Sequence, residues 1–259
     1  MRQQIGLILG LWGVALVFAG SAAAAGFNVE ELIKQGPDAI LSQSDIEANP
    51  YPDRTMAVEM VLKGGGDDGK VLAIQMYSKG ATRTALRFKS PSDLKGLALV
   101  IKGASEIYVK LPGTKKVRRV ASHARKQGFQ GTDWSLDDLR LLKLAPSFTP
   151  KLKEVTATHI VLELHRKASA DVPYSRLVVS LPKEHLIPET IDYYDDAGKK
   201  VKVQSRTGLV ESEGGKKSFL KNTMTDLERN HSTILNVLEQ KTDSIPAKTF
   251  SKRWLVRGT

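Results

Sequence analysis

The sequence predicts a mainly β protein with a few helices, an α+β arrangement in which one curved antiparallel sheet forms an open half barrel under a helical lid. Three observations predict it. From Met56 to Lys241 the chain runs through short segments of alternating apolar and polar residues, parted by turn signals. Helix signals are confined to a preface over residues 28–48, to residues 135–142 and to a short turn near Ile245 to Phe250. No linker or shift in composition divides residues 26–259, so they are expected to form a single domain. A sheet of that many strands must curl, and a curl that stops short of closure leaves an apolar concave face for the helices to cover.

The elements follow in order. Asn28 with Glu31 three residues on makes a capping box for a short helix through Leu32 and Ile33, and Pro37 opens a second stretch carrying Ala39, Ile40 and Leu41. Asn49-Pro50-Tyr51-Pro52 ends the preface. Met56, Val58, Met60 and Leu62 then alternate, Gly64 to Gly69 turns the chain as a flexible hairpin tip, and Val71 and Ala73 lead it back. Further strands are predicted over 82–89, 97–102, 106–111, 115–121, 149–157, 159–167, 174–181, 186–195, 199–210, 217–227 and 232–241. Asp195-Asp196-Ala197-Gly198 and the polar 211–217 segment read as hairpin turns, so neighbouring strands are mostly antiparallel.

One block carries most information. In residues 107–139, Ile107, Val109 and Leu111 alternate with Tyr108 and Lys110, Pro112-Gly113 turns the chain, and Lys115, Lys116, Arg118 and Arg119 project from a short cationic ribbon. Gly128 to Trp134 then sets Phe129 and Trp134 among glycines, and Ser135 with Asp138 forms a capping box before Leu139, Leu141 and Leu142. Tyr108, Leu111-Pro112, Thr114-Lys115-Lys116, Arg118-Arg119-Val120, Phe129, Gly131-Thr132-Asp133-Trp134 and Asp137-Asp138-Leu139 together resemble the signature of the outer-membrane lipoprotein-sorting-like family, relatives of the periplasmic carriers LolA and LolB. The resemblance extends upstream to Arg87-Phe88, Ser90-Pro91 and Asp93-Leu94-Lys95-Gly96, and downstream to Pro188, Tyr193 to Lys200 and Met224. Trp134 stands where Phe is usual in the family, and Lys110 interrupts the usual run before Leu111-Pro112. The resemblance implies the LolA/LolB-like half barrel, no catalysis, and a lipid or lipoprotein acyl chain as ligand.

Residues 1–25 read as a cleavable signal peptide: Arg2, an apolar run from Ile5 to Ala19 too short to span a bilayer comfortably, and a small-residue end with cleavage after Ala24 or Ala25. The expected location is the periplasm. Without cysteine there is neither a lipobox nor a disulfide. Losing Arg2 takes the formal charge from +11 to +10, and for an exported protein the alternatives are an anionic membrane surface as counter-charge, rather than nucleic acid, or a solvated basic surface with no specific partner.

Enzyme signatures are missing. His123, His159, His165, His185 and His231 lack the spacing of a helical zinc site, and no nucleophile elbow, P-loop or dinucleotide fingerprint occurs. Asp133, Asp137 and Asp138 lack calcium-loop spacing, so neither metal nor cofactor is expected. Arg118, Arg119, Phe129 and Trp134 are the candidate ligand-binding residues, with Lys115 and Lys116 as membrane-docking residues. For the aromatics the alternatives are a gate over the cavity or an anchor of the crossing loop. For Arg118 and Arg119 they are phosphate binding or protection of a sheet edge. The leading expectation is a monomeric, non-catalytic carrier, with an envelope transporter as a further partner. The alternatives are a sensor or accessory subunit of such a transporter and, third, a phospholipid hydrolase.

Overall fold

A computed structural model describes residues 26–103, 106–212 and 214–257; the signal segment expected over 1–25 lies outside the described residues. The strands are β1 (Asp53–Lys63), β2 (Val71–Lys79), β3 (Arg83–Ser90), β4 (Ala98–Lys102), β5 (Glu106–Lys110), β6 (Val117–Arg119), β7 (Phe148–Val155), β8 (His159–Arg166), β9 (Arg176–Pro182), β10 (Thr190–Tyr194), β11 (Lys200–Glu211), β12 (Lys217–Asp226) and β13 (His231–Lys241). The helices are α1 (Val29–Gln35), α2 (Pro37–Glu47), α3 (Leu136–Arg140) and α4 (Lys252–Arg257).

All thirteen strands form one antiparallel sheet in the order β6-β5-β4-β3-β2-β1-β13-β12-β11-β10-β9-β8-β7. Two meanders therefore meet where the first strand pairs with the last, from Thr55 opposite Lys241 to Lys63 opposite Ser232. β6 and β7 do not pair, so the sheet stays open, and residues 120–147 span from one edge to the other. The fold is the mainly β half barrel that the alternation predicts. β7 is protected as an edge by Pro150, which has no N–H to offer a further strand, and by Lys151 and Lys153.

Local chemistry accounts for the departures. β10 starts at Thr190 rather than near Leu186, because Leu186 takes φ +51° and Pro188 cannot donate to a ladder. The Gly64–Gly69 tip is closely approached at its base, where a Cβ at Gly64 would lie 2.9 Å from the Asn230 carbonyl oxygen in the turn between β12 and β13, whereas Gly66 and Gly69 have open space around them. Past the turn expected near Ile245 to Phe250, seen as a single turn over Ala247–Phe250, the chain forms α4, started by Ser251, whose Oγ accepts the Trp254 N–H at 3.2 Å.

The concave face carries the main core. Val58, Met60 and Leu62 of β1, Leu72 and Ile74 of β2, Phe88 of β3 and Leu162 and Leu164 of β8 are buried there, and α2 seats Ile40 and Leu41 on the same core. Each such side chain contributes about 1.5–3 kcal/mol through burial. The convex face has its own cover. Ile245, Phe250, Trp254 and Leu255 pack on Ala85, Ala98, Val100 and Tyr108, so β4 is buried on both faces. Arg87 fixes this cap, lying 4.7 Å from the Trp254 ring centroid and donating to the Trp254 and Leu255 carbonyls.

Candidate functional site

Under α2 and the 120–147 crossing, the concave face holds a partly open cavity of about 220 Å³. Met56 and Val58 of β1, Met76 of β2, and Trp134, Leu139 and Leu144 of the crossing supply apolar wall. Arg54, Gln204, Arg206 and Asn222 add a polar sector.

The lid is tied down by buried carboxylates. Asp45, near the end of α2, accepts the Leu144 N–H at 2.8 Å and the Ala145 N–H at 2.9 Å. Burial raises its pKa, opposed by those two N–H groups and by Lys143. Asn49 adds a bond from Nδ2 to the Leu142 carbonyl at 2.7 Å. In the crossing itself, the Asp133 carboxylate lies 2.7 Å from His231 Nδ1 and accepts the Thr233 hydroxyl at 2.6 Å, both on β13. The Thr233 oxygen in turn accepts the Asp133 N–H at 3.0 Å.

Asp138 is the second hub. It completes the capping box with Ser135, accepts Lys202 Nζ from β11 at 2.9 Å and accepts the Tyr174 hydroxyl at 2.6 Å. Burial, followed by the Asp138 charge, holds the Tyr174 pKa well above its usual value. Asp137 turns elsewhere, to Arg140 at 2.7 Å and Arg125 at 3.6 Å. The three carboxylates thus diverge to separate side chains, although Lys202 also donates to the Asp133 backbone carbonyl at 2.9 Å.

The sequence-predicted residues separate into two places. Trp134, 6% exposed, lines the cavity, whereas Phe129 packs edge-on against Phe88 of β3 with ring centroids 5.9 Å apart. Two glycines let this loop lie so close. A Cβ at Gly128 would collide with the Thr132 carbonyl, and Gly131, at φ +83°, leaves room for Leu62 and Asp67. Arg118 and Arg119 are exposed on the edge strand β6 and do not line the cavity. Lys115 and Lys116 are exposed in the turn leading to it, next to the exposed Leu111.

Sequence reasoning missed Arg54 and Arg206. On β11, Lys202, Gln204 and Arg206 alternate with Val201, Val203 and Ser205, and it is the polar set that turns inward: Lys202 reaches Asp133 and Asp138, and Gln204 and Arg206 line the cavity. A strand whose polar residues occupy the core-facing register is the available signal.

An open, lidded half barrel around a largely apolar cavity is a LolA-like fold. Residues 80–257 match the model of a family described as an uncharacterized protein, and the chain belongs to that family. No curated protein matches it. A domain described as an outer membrane lipoprotein-sorting protein from Vibrio parahaemolyticus superposes with a TM-score of 0.74 at 20% identity, covering 89% of this chain and 100% of its own. A DUF1329 family protein from Desulfovibrio piger gives 0.77 at 20% identity, covering 86% and 99%. A LolA superfamily protein from Nitrosomonas europaea gives 0.71 at 19% identity, covering 85% and 99%. These likenesses are of fold, and they agree with the family resemblance carried by the 107–139 block.

Proposed function

We propose that the chain is a non-catalytic periplasmic carrier, a single LolA-like domain over residues 26–259, that shelters an acyl chain of a lipid or lipoprotein in its half barrel. The observation that carries this reading is the largely apolar cavity beneath a hydrogen-bonded lid. At about 0.8 kcal/mol per buried methylene, withdrawing a long chain from water supplies on the order of 10 kcal/mol before ordering costs. The cavity, about 220 Å³, is smaller than the roughly 300–1,000 Å³ of ligand pockets, so a long chain fits only if the cavity widens, as outward movement of the lid would allow. The Asp45 and Asn49 bonds to residues 142–145 are the contacts that would break.

An environment-sensitive fatty-acid probe is expected to brighten on mixing with the protein and to be displaced by phospholipid. Failure to bind any acyl probe, lipid or lipopeptide would overturn the carrier reading in favour of an accessory subunit of an envelope transporter.

Docking on an anionic membrane is assigned to Lys115, Lys116, Arg118 and Arg119, which are exposed together at one edge of the sheet beside Leu111. Replacing all four with glutamine is expected to weaken association with anionic liposomes roughly tenfold or more at low salt, with the difference shrinking as salt shortens the Debye length. Acyl-probe binding should be unchanged. Equal liposome binding by the variant and the parent at low salt would remove the docking role.

A further inference from the structure

Two arginines on the cavity wall stand apart from every other charge there. Arg54 shares the inward register of β1 with Met56 and Val58, and Arg206 shares that of β11 with Gln204. Among the described residues neither forms an ion pair, and the buried Nε of Arg54 has no hydrogen-bond partner. Arg206 donates only a long 3.5 Å contact to Gln204 Oε1, an atom that already accepts the Tyr193 hydroxyl at 2.9 Å. The remaining charges on the wall are engaged. Asp45 holds the Leu144 and Ala145 amides, Asp138 holds Lys202 and Tyr174, and Lys217 lies 2.5 Å from Glu184.

The uncompensated charge of the cavity is therefore that of two guanidinium groups near enough for Arg54 to disfavour the charge on Arg206. Burial pulls both below the ordinary arginine pKa, a measure of how poorly the surroundings solvate them. Packing alone gives no reason for this arrangement, since a half-buried cation without an ionic partner is costly and a second like charge beside it adds repulsion. A planar fork of N–H donors does fit the paired oxygens of a phosphate or carboxylate.

Building on the carrier reading, we propose that Arg54 and Arg206 form a receptor for an anionic headgroup, phosphate or carboxylate, so that the cavity selects anionic amphiphiles over neutral acylglycerols. The apolar wall holds the chain and the arginine pair holds the head. A neutral acylglycerol presents only ester carbonyls to the two guanidiniums, which leaves their charge unanswered. An anion neutralises it and accepts charge-assisted hydrogen bonds.

The test titrates the full protein with phosphatidylglycerol and with diacylglycerol, both carrying the same fluorophore-labelled acyl chain, and compares the parent with an Arg54→Gln/Arg206→Gln double variant. The parent is expected to bind phosphatidylglycerol at least roughly tenfold tighter than diacylglycerol. The double variant is expected to lose that preference, keep its diacylglycerol affinity, and unfold at the same or a higher temperature than the parent. Displacement by unlabelled oleate and by unlabelled phosphatidylglycerol then separates carboxylate from phosphate as the preferred head.

Equal affinities in the parent, or a preference that survives in the double variant, would overturn the receptor while leaving the carrier reading in place. A lower unfolding temperature with parallel loss of both lipids would make the arginines structural and also overturn it. Binding of neither lipid by the parent would remove the carrier reading and the receptor together.

Discussion

Replacing Asp133 with alanine is expected to lower the free energy of unfolding by about 3–5 kcal/mol, the cost of breaking a buried charged network from one side. The Asp133 side chain is fully buried, and it holds His231 at 2.7 Å and Thr233 at 2.6 Å, with Arg229 at 3.6 Å. Removing it leaves the buried His231 and Thr233 side chains without this acceptor and frees the crossing loop from β13. Asp133→Asn retains one acceptor oxygen and is expected to lose less. Urea unfolding followed by tryptophan fluorescence would show a lower midpoint with an unchanged slope. A loss for the alanine variant within about 1 kcal/mol would mean that the network does not hold the loop.

Trp134→Ala is expected to cost about 3–5 kcal/mol as well, but with a second signature. Trp134 belongs to the main core and to the cavity wall at once. Truncation enlarges the cavity on its lid side and removes the largest apolar surface that the crossing presents to a bound chain. Dissociation of an acyl probe, measured by dilution, should become faster than in the parent under conditions where both are folded. Destabilisation with an unchanged dissociation rate would restrict Trp134 to anchoring the loop.

The strands were legible because alternation along a half-buried sheet is a strong local signal, from Met56 to Leu62 on β1 through to β13. The curl was legible from strand number, and the crossing loop from its glycines and capping box. The convex cap was not. α4 is six residues long and begins with Lys252 and Arg253, which oppose the helix dipole at that end, and Trp254 and Leu255 reveal their purpose only against Ala85 and Ala98 on distant strands.

The polar sector of the cavity was hidden for a related reason. Neither Arg54 nor Arg206 carries a local signal, and it is the register of β1 against β2 and of β11 against β12 that turns them inward. Of the two alternatives that the sequence left open for Arg118 and Arg119, their position on the edge strand β6, away from the cavity wall, agrees with protection of a sheet edge.

The pairing of β1 with β13 bears on how the molecule is made. Thr55 meets Lys241 only after nearly the whole chain has been synthesised, so during vectorial emergence β1 has β2 on one side and an unsatisfied ladder on the other. The first six strands can assemble as they appear, and so can the last seven. The step that unites them is the most non-local contact in the sheet, and loop-closure entropy makes such steps slow. A product truncated before His231 would retain two half sheets and no suture between them. The vulnerable interval in the life of this protein is thus the wait for its final strand, when an apolar edge is open to any extended chain nearby.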